Sequence, residues 1–340
     1  MTIRPWLLPL LFVALGAVGG CGAPEPPAMV PLELTWTKGQ ERVQRVLSKQ
    51  SVQQPTGPSG PTLTMEQTLE KGIRFEVTEV SDTGTATLDV RYDWVRVEVK
   101  GPGIQFAYDS RESEVDDRSP MALAIGSLVG AEFTARVEKN GTVGKITGVT
   151  ETLAKILAKD TLPTGEMRRP VEQSLGQHFS EKSIRRALTA MFSIYPTKPV
   201  AVNETWTDEF ELDSEFPLTG RRTSKLTKVE GKRWTIEANT SVEPRAEATV
   251  VNLAGMPVEY NLQGYQLDTI ELDATSGWVL RFQGEQKITG RTQSAAGEIP
   301  ITVETVFEVE TVAPEEVAPD NVAPGNVDPG KPAESSPAGG

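Results

Sequence analysis

The sequence predicts an α+β fold, mostly antiparallel β, built as two curved antiparallel sheets joined by a central helical insert. Three observations predict it. Apolar and polar residues alternate at period two through much of residues 32–312, the pattern of strands with one buried face. Glycine-containing turns separate these runs. Helical periodicity gathers between residues 149 and 196, with strand-rich stretches on either side.

The first strand-rich part, residues 32–148, carries the clearest alternation. Ile73, Phe75 and Val77 alternate with Arg74, Glu76 and Thr78. Ala86, Leu88, Val90, Tyr92 and Trp94 form the next apolar set, and Val95, Val97 and Val99 continue it on the opposite parity. A one-residue change of phase within a long strand means a β-bulge or a switch of buried face. Asp82-Thr83-Gly84 reads as a hairpin turn, and Asn140-Gly141, between Phe133–Val137 and Val143–Ile146, as a type I′ turn. Met121–Val129 reads as a helical turn.

In the insert, Val149, Leu153, Ile156 and Leu157 recur at helical spacing, as do Ile184, Leu188, Met191 and Phe192. Ser180 is the expected N-cap of the second helix, and Pro196 its stop. The second strand-rich part, residues 197–312, contains Trp234, Ile236 and Ala238, then Trp278, Leu280 and Phe282, then Ile301, Val303, Thr305, Phe307 and Val309. Glu230-Gly231-Lys232 and Asp273–Gly277 are its turns. Both parts open on a similar phrase, Leu34-Thr35-Trp36-Thr37 and Glu204-Thr205-Trp206-Thr207, which reads either as an internal duplication or as the shared strand preference of Thr and Trp.

The two ends read differently from the body. Arg4, an apolar run from Trp6 to Leu15, and the small residues Gly16–Gly20 make a secretory signal over residues 1–20. The run is too short to cross ~30 Å of hydrocarbon, and Pro9 interrupts it. Val18-Gly19-Gly20-Cys21 resembles a lipobox, which implies that Cys21 is lipidated and becomes the mature N-terminus; Val18 departs from the usual Leu. Cys21 is the only cysteine, so no disulfide can form within the chain. Gly22, where Asp would mark inner-membrane retention, implies outer-membrane sorting toward the periplasm. Residues 21–31 are a proline-rich tether, and residues 313–340, with a decaying five-residue Val-x-Pro-type repeat, are expected to be disordered.

Composition limits the partners. Without residues 1–20 the chain has 33 basic and 47 acidic residues, a net charge of −14. That balance disfavours nucleic acid. It leaves the membrane, reached through the N-terminal lipid, and an envelope protein, the cell wall or a hydrophobic small molecule as partners.

Nothing in the sequence assembles a catalytic set, so the chain is expected not to be an enzyme. His178, the only histidine, lies in Ser174-Leu175-Gly176-Gln177-His178-Phe179, at or near an expected helix start. One histidine and one lipidated cysteine do not make a usual zinc site, and no Gly-x-Ser-x-Gly elbow accompanies it. The acidic stretch Asp109–Asp117 lacks the glycine of a calcium loop and contains Arg111. Trp36, Trp94, Trp206, Trp234 and Trp278 all fall in expected strands, as core or as the lining of an aromatic cavity. No cofactor and no metal are expected, and Cys21 is the one candidate site residue.

Three phrases carry a resemblance. Leu32-x-Leu34-x-Trp36-x-x-Gly39 after a lipobox, Val202-Asn203-Glu204-Thr205-Trp206, and Asp273-Ala274-Thr275-Ser276-Gly277-Trp278 resemble a group of uncharacterised β-rich bacterial envelope lipoproteins. More distantly, the layout looks like lipoprotein-carrier folds, which hold acyl chains in a half-barrel. The expected function is a non-enzymatic, lipid-anchored interaction or scaffold module; the alternative is a carrier or sensor of a hydrophobic ligand in a β-sheet cavity.

Overall fold

The computed structural model describes residues 28–56, 60–112, 120–159, 162, 164–165, 168–212, 216–245, 250–253, 256–294 and 297–313. The export signal, Cys21 and the tether to residue 27 lie outside the described residues, as do residues 113–119 of the acidic stretch and the C-terminal repeat beyond Ala313.

The elements follow in chain order: β1 Met29–Val30, β2 Glu41–Pro55, β3 Thr62–Val80, β4 Ala86–Gly101, β5 Ile104–Asp109, α1 Pro120–Gly126, β6 Glu132–Val137 and β7 Val143–Thr147. Then come α2 Val149–Leu157, α3 Arg168–His178, α4 Glu181–Phe192, β8 Val200–Ala201, β9 Thr205–Glu211 and β10 Leu218–Glu230. The last are β11 Arg233–Pro244, β12 Val250–Leu253, β13 Met256–Asp273, β14 Val279–Ser294 and β15 Gly297–Val312.

The protein is mostly antiparallel β with few helices, as expected, and its described strands form two sheets. The division between them differs from the expectation. One sheet has 13 strands in the order β7-β6-β4-β3-β2-β15-β14-β13-β11-β10-β9, with β5 on β4 and β12 on β13; the other is only β1 with β8. Both strand-rich parts therefore enter one sheet. They meet where β15 pairs with β2, from Val312 opposite Val43 to Thr302 opposite Gln53. The physical reason is the cost of edges. Two separate sheets would leave long strands with unpaired backbone groups on their flanks, and the β2–β15 pairing satisfies them. The tether also differs at its end: Met29 and Val30 pair with Ala201 and Val200.

Local expectations fare unevenly for identifiable reasons. The phase change in β4 is a bulge: Gly72 faces Trp94 and Ile73 faces Tyr92, leaving Asp93 unpaired. Tyr92 and Val95 thus share a face, and Trp94 turns to the other, over Gly72, where a Cβ would fall 2.2 Å from its Nε1. The Asn140-Gly141 turn forms, but not as type I′. That type needs positive φ at both central residues, and Gly141 has it (φ 82) while Asn140 does not. Glu138 and Thr142 close a three-residue loop instead, with Gly141 left-handed and the Asn140 side chain accepting from Thr142 N at 3.0 Å. Trp36 and Trp278, expected in strands, lie just outside them, in segments whose backbones are pinned to each other by Thr35 N donating to Ser276 O at 2.8 Å. Leu34-Thr35-Trp36-Thr37 is thus irregular, whereas Thr205-Trp206-Thr207 opens β9. His178 ends α3 and stands three residues before α4, near a helix start as expected without opening one. Ser180 caps α4 as expected, accepting from Ser183 N at 3.2 Å.

Helix α4 lies between the two flanks of the large sheet. Arg185 Nη1 donates to the Val143 and Gly144 carbonyls of β7 at 3.2 and 2.6 Å. Arg186 pairs with Glu211 of β9 at 3.5 Å. Just beyond the helix, Ile194 O accepts from Trp206 Nε1 of β9 at 3.2 Å. Its apolar side, Ile184, Leu188 and Phe192, enters a buried cluster with Phe75, Leu88, Val90, Ile236, Ile270 and Leu272. That cluster identifies the inner face of the sheet, the one the helices cover. A second cluster, formed by Leu212, Leu218, Val242, Tyr260, Leu262 and Ile288, lies farther along β10–β14 on the same face.

Candidate functional site

Between the two apolar clusters the inner face carries a row of polar side chains. Strand register puts them directly opposite one another: Asp208 with Arg222, Arg222 with Thr240, Thr240 with Gln266, and Gln266 with Gln286. The row continues from Gln286 to Thr305, Gln50 and Gln67. It crosses β9, β10, β11, β13, β14, β15, β2 and β3 at one level. Antiparallel partners keep their Cβ atoms ~5 Å apart, so these groups form a band rather than scattered positions. Asp268 and Ser224 stand one residue pair nearer the helices, flanking Ala238.

Apolar side chains run along both sides of the band. Leu226, Ile236 and Ile270 lie on the helix side, and Val242, Ile288 and Val303 on the other. Toward β3 the inner positions become accessible: Met65 is 40% and Leu63 41% exposed.

Two hydrogen-bonded assemblies organise the row. At the β9 end Arg222, 3% exposed, binds Asp208 with two nitrogens, Nε to Oδ1 at 3.0 Å and Nη2 to Oδ2 at 2.7 Å. Nη2 also donates to Ser193 O at 2.6 Å, and the guanidinium lies 5.0 Å from the Phe210 ring. At the centre Gln286 Nε2 donates to Gln266 Oε1 at 2.8 Å. Gln266 Nε2 donates in turn to both oxygens of Asp268, at 2.9 and 3.1 Å. The amide chain thus ends on a carboxylate that is itself buried.

Burial pushes the Asp268 carboxyl up to about 6, against the opposing pull of the Gln266 hydrogen bond and the Arg222 charge. Ser224, Thr240 and Thr305 are buried, and their hydroxyls have no hydrogen-bonding partner among the described groups. A buried polar group without a partner costs about 1–3 kcal/mol. Three such hydroxyls on one sheet face, with a buried carboxylate among them, are therefore a costly arrangement for a purely structural core. Among the described residues no group of His, Cys, Asp and Glu side chains comes together as a metal site. A groove of about 450 Å³ lies apart from the row, between the Pro31–Glu33 and Pro196–Pro199 loops, with Glu138, Lys139 and Asn140 also in its lining.

The raised Asp268 carboxyl has a consequence for stability. Between about pH 4 and pH 6 the folded protein holds a proton on Asp268 that the unfolded chain releases, so this group's destabilising effect grows as pH rises through that window and is full above it. A shift of about 2 units corresponds to about 3 kcal/mol. Asp268→Asn removes that cost and loses one of two hydrogen bonds from Gln266, about 1 kcal/mol. The variant should be more stable than the parent by roughly 2 kcal/mol near pH 8 and lose that advantage near pH 4. Melting temperatures of both proteins across that range check it; a variant less stable at every pH refutes it.

The sequence-level candidates lie elsewhere. Cys21 is outside the described residues. His178 closes α3, away from the strands that build the row. Within the acidic stretch Asp109 is bound by Arg111, whose Nη2 is 2.6 Å from Oδ2. That ion pair and the Arg111 charge hold the Asp109 carboxyl below its usual range although burial opposes them. The tryptophan reading resolves toward core packing for Trp36 and Trp278, whose rings stack edge-on 5.6 Å apart. The row itself had a readable local sign. In Leu262-x-Gly264-x-Gln266-x-Asp268-x-Ile270 the buried parity is interrupted by Gln266 and Asp268.

Residues 83–279, more than half of the chain, match the model of a family described as a family of unknown function (DUF6263). No curated protein matches the chain. Among solved structures, lipovitellin is 9% identical over 82% of this chain and 25% of its own, with a TM-score of 0.43; this chain spans about a quarter of that protein's length. DynF, from the dynemicin biosynthesis pathway of Micromonospora chersina, is 9% identical over 87% of this chain and 89% of its own, with a TM-score of 0.22. OpdQ of Pseudomonas aeruginosa is 7% identical over 81% and 100%, with a TM-score of 0.23. At these scores the likenesses establish no common fold.

Proposed function

The chain belongs to the DUF6263 family, whose function is unknown, and from that premise we propose that it is a non-enzymatic binding protein that holds an amphipathic small molecule on the inner face of its large sheet. The observation that carries this reading is the polar row: buried hydroxyls without partners and an amide chain ending on Asp268, set between apolar stretches. A ligand with an apolar body and a polar group matches such a surface, because the body covers the apolar strips and the polar group supplies the missing hydrogen bonds. The half-exposed inner side chains of β3 offer the same face to the outside. Of the two functions expected from the sequence, this favours the carrier over the scaffold.

Anchoring belongs to the same proposal. Cys21, acylated, tethers the body to the outer membrane, the periplasm being the compartment in which the ligand is met. The tether joins the body beside the helices, where β1 pairs with β8.

The experiment is native mass spectrometry of the chain expressed from Gly22 onward. That form retains every described residue and carries no acyl group of its own. Purified without detergent and incubated with single-chain dodecyl amphiphiles, it should show a one-to-one adduct. A clean unliganded mass under all conditions refutes the carrier reading. The anchor is tested separately: the full chain should take up a palmitate analogue, and the Cys21→Ser variant should not, because the serine hydroxyl is a far weaker nucleophile than a thiolate.

A further inference from the structure

Resting on the carrier reading, we infer that the site around Asp268 selects a positively charged, hydrogen-bond-donating head group of the primary ammonium class and rejects carboxylate and phosphate head groups. The donors, acceptors and charges of the inner face favour such a group. Asp268 accepts from Gln266 at both oxygens, and a carboxylate has about four lone-pair sites, so acceptor capacity remains. Thr240 stands on the adjacent strand β11 and Ser224 on β10, across Ala238, both with hydroxyls that have no partner among the described groups. Each can accept one more hydrogen bond. An ammonium group offers three donors and one positive charge, which this set of acceptors matches.

The cations of the same face are engaged or distant. Register places five charged residues on the inner positions of the described strands: Arg42, Lys71, Asp208, Arg222 and Asp268. Arg222 is held bidentately by Asp208 and Ser193 takes a further donor, so its donors are engaged although its charge still acts on Asp268. Lys71 lies 5.8 Å from the Tyr92 ring, on β3. Strand order puts β14, β15 and β2 between β3 and Asp268, a path of roughly 19 Å along the sheet at ~4.8 Å per strand. Arg42, on β2, lies opposite Phe75, six residues along the strand from Ser48, which is level with Asp268. An anionic head group beside Asp268 therefore meets a like charge with no free cation adjacent.

The neighbours of Asp268 across both strands are small. Asp268 is flanked by Ala238 on β11 and Gly284 on β14. Its carboxylate leans over Gly284, where a Cβ would lie 2.4 Å from Oδ1. The two smallest residue types thus border the Asp268 carboxylate.

Dodecylamine and dodecanoate share a chain length and differ in head-group charge, so the pair tests the inference. Equilibrium titrations use the chain from Gly22 onward, below the micellar concentration of each probe, at about pH 8. Dodecylamine should bind at least ten-fold more tightly than dodecanoate, since like-charge juxtaposition in such a site is strongly unfavourable. Asp268→Asn should bring the two affinities to within about three-fold. In the parent protein, dodecylamine affinity should fall as pH is lowered toward about 5, where Asp268 takes up its proton and the amine stays charged. Equal or tighter binding of dodecanoate overturns the inference, as does a preference that Asp268→Asn leaves unchanged; either result leaves the carrier reading standing. Binding of neither probe removes the carrier reading and this inference together.

Discussion

Gly141→Ala should destabilise the protein by about 3 kcal/mol or more, one of the two largest single-residue effects expected. Two costs add at this position. Gly141 has a φ of 82, and a residue with a Cβ held in the left-handed region costs about 1–2 kcal/mol. The hairpin turn also presses against the end of α4. A Cβ on Gly141 would fall 1.8 Å from the Phe192 carbonyl oxygen and 2.9 Å from the Tyr195 ring. That atom is backbone, so relief requires moving the helix terminus or the hairpin, and such overpacking costs about 1–3 kcal/mol or more. Gly130→Ala is the control: its φ is 79, with nothing within 4 Å of a Cβ, so only the conformational cost applies. Denaturant unfolding of both variants separates the two contributions. Equal losses would show that the contact between hairpin and helix contributes nothing.

The second large effect is expected at Trp278. Its ring centre lies 5.6 Å from Trp36, 5.4 Å from Phe75 and 5.8 Å from Phe192, all edge-on. It also donates from Nε1 to Thr311 Oγ1 at 3.2 Å. These contacts join five separate segments: the irregular stretch after β1, strand β3, the end of α4, the turn leading into β14 and the end of β15. Trp278→Ala should cost about 3–5 kcal/mol, the range for buried aromatic truncation. Trp278→Phe keeps ring packing and loses the N–H bond, so about 1–2 kcal/mol is expected. The same unfolding experiment reads both. A loss below about 1 kcal/mol in the alanine variant would mean that the cluster is not what joins these segments. Tyr195 supports the same junction, its hydroxyl donating to Gly277 O at 2.7 Å, and its burial pushes the phenol up.

Both predictions concern contacts between distant parts of the chain, and that is where the sequence had least to say. Strand identity was legible because it is local. The alternation Ile73, Phe75, Val77 needs only the two-residue period of a strand against a buried face, and the structure has β3 there. The bulge at Asp93 was legible for the same reason, since a phase slip is visible within one strand. Helix α4 could be read with its cap because Ser180 and the spacing of Ile184, Leu188 and Phe192 lie within four turns. Helix α3 was not, because Pro170 and Gly176 weaken its local pattern, and only Val171, Leu175 and Phe179 packing in the core mark its buried side.

The candidate site divides in the same way. What the sequence by itself carries of the site is local: Gln266 and Asp268 break an apolar parity, while Gln50, Gln67 and Gln286 are polar residues with no local mark. The sequence could not place them side by side. That depends on β15 pairing with β2 and on the register of seven strand pairs between Asp208 and Gln67. Register is set by turn geometry and by the fit of whole apolar faces, and a slip of one residue reverses every side chain. The partnerless hydroxyls of Ser224, Thr240 and Thr305 are likewise a tertiary result, since a serine or threonine in a strand is ordinary until its burial and its neighbours are fixed. The alternation of each strand was written locally; the row of polar groups exists only where long-range pairing brings those strands to one level.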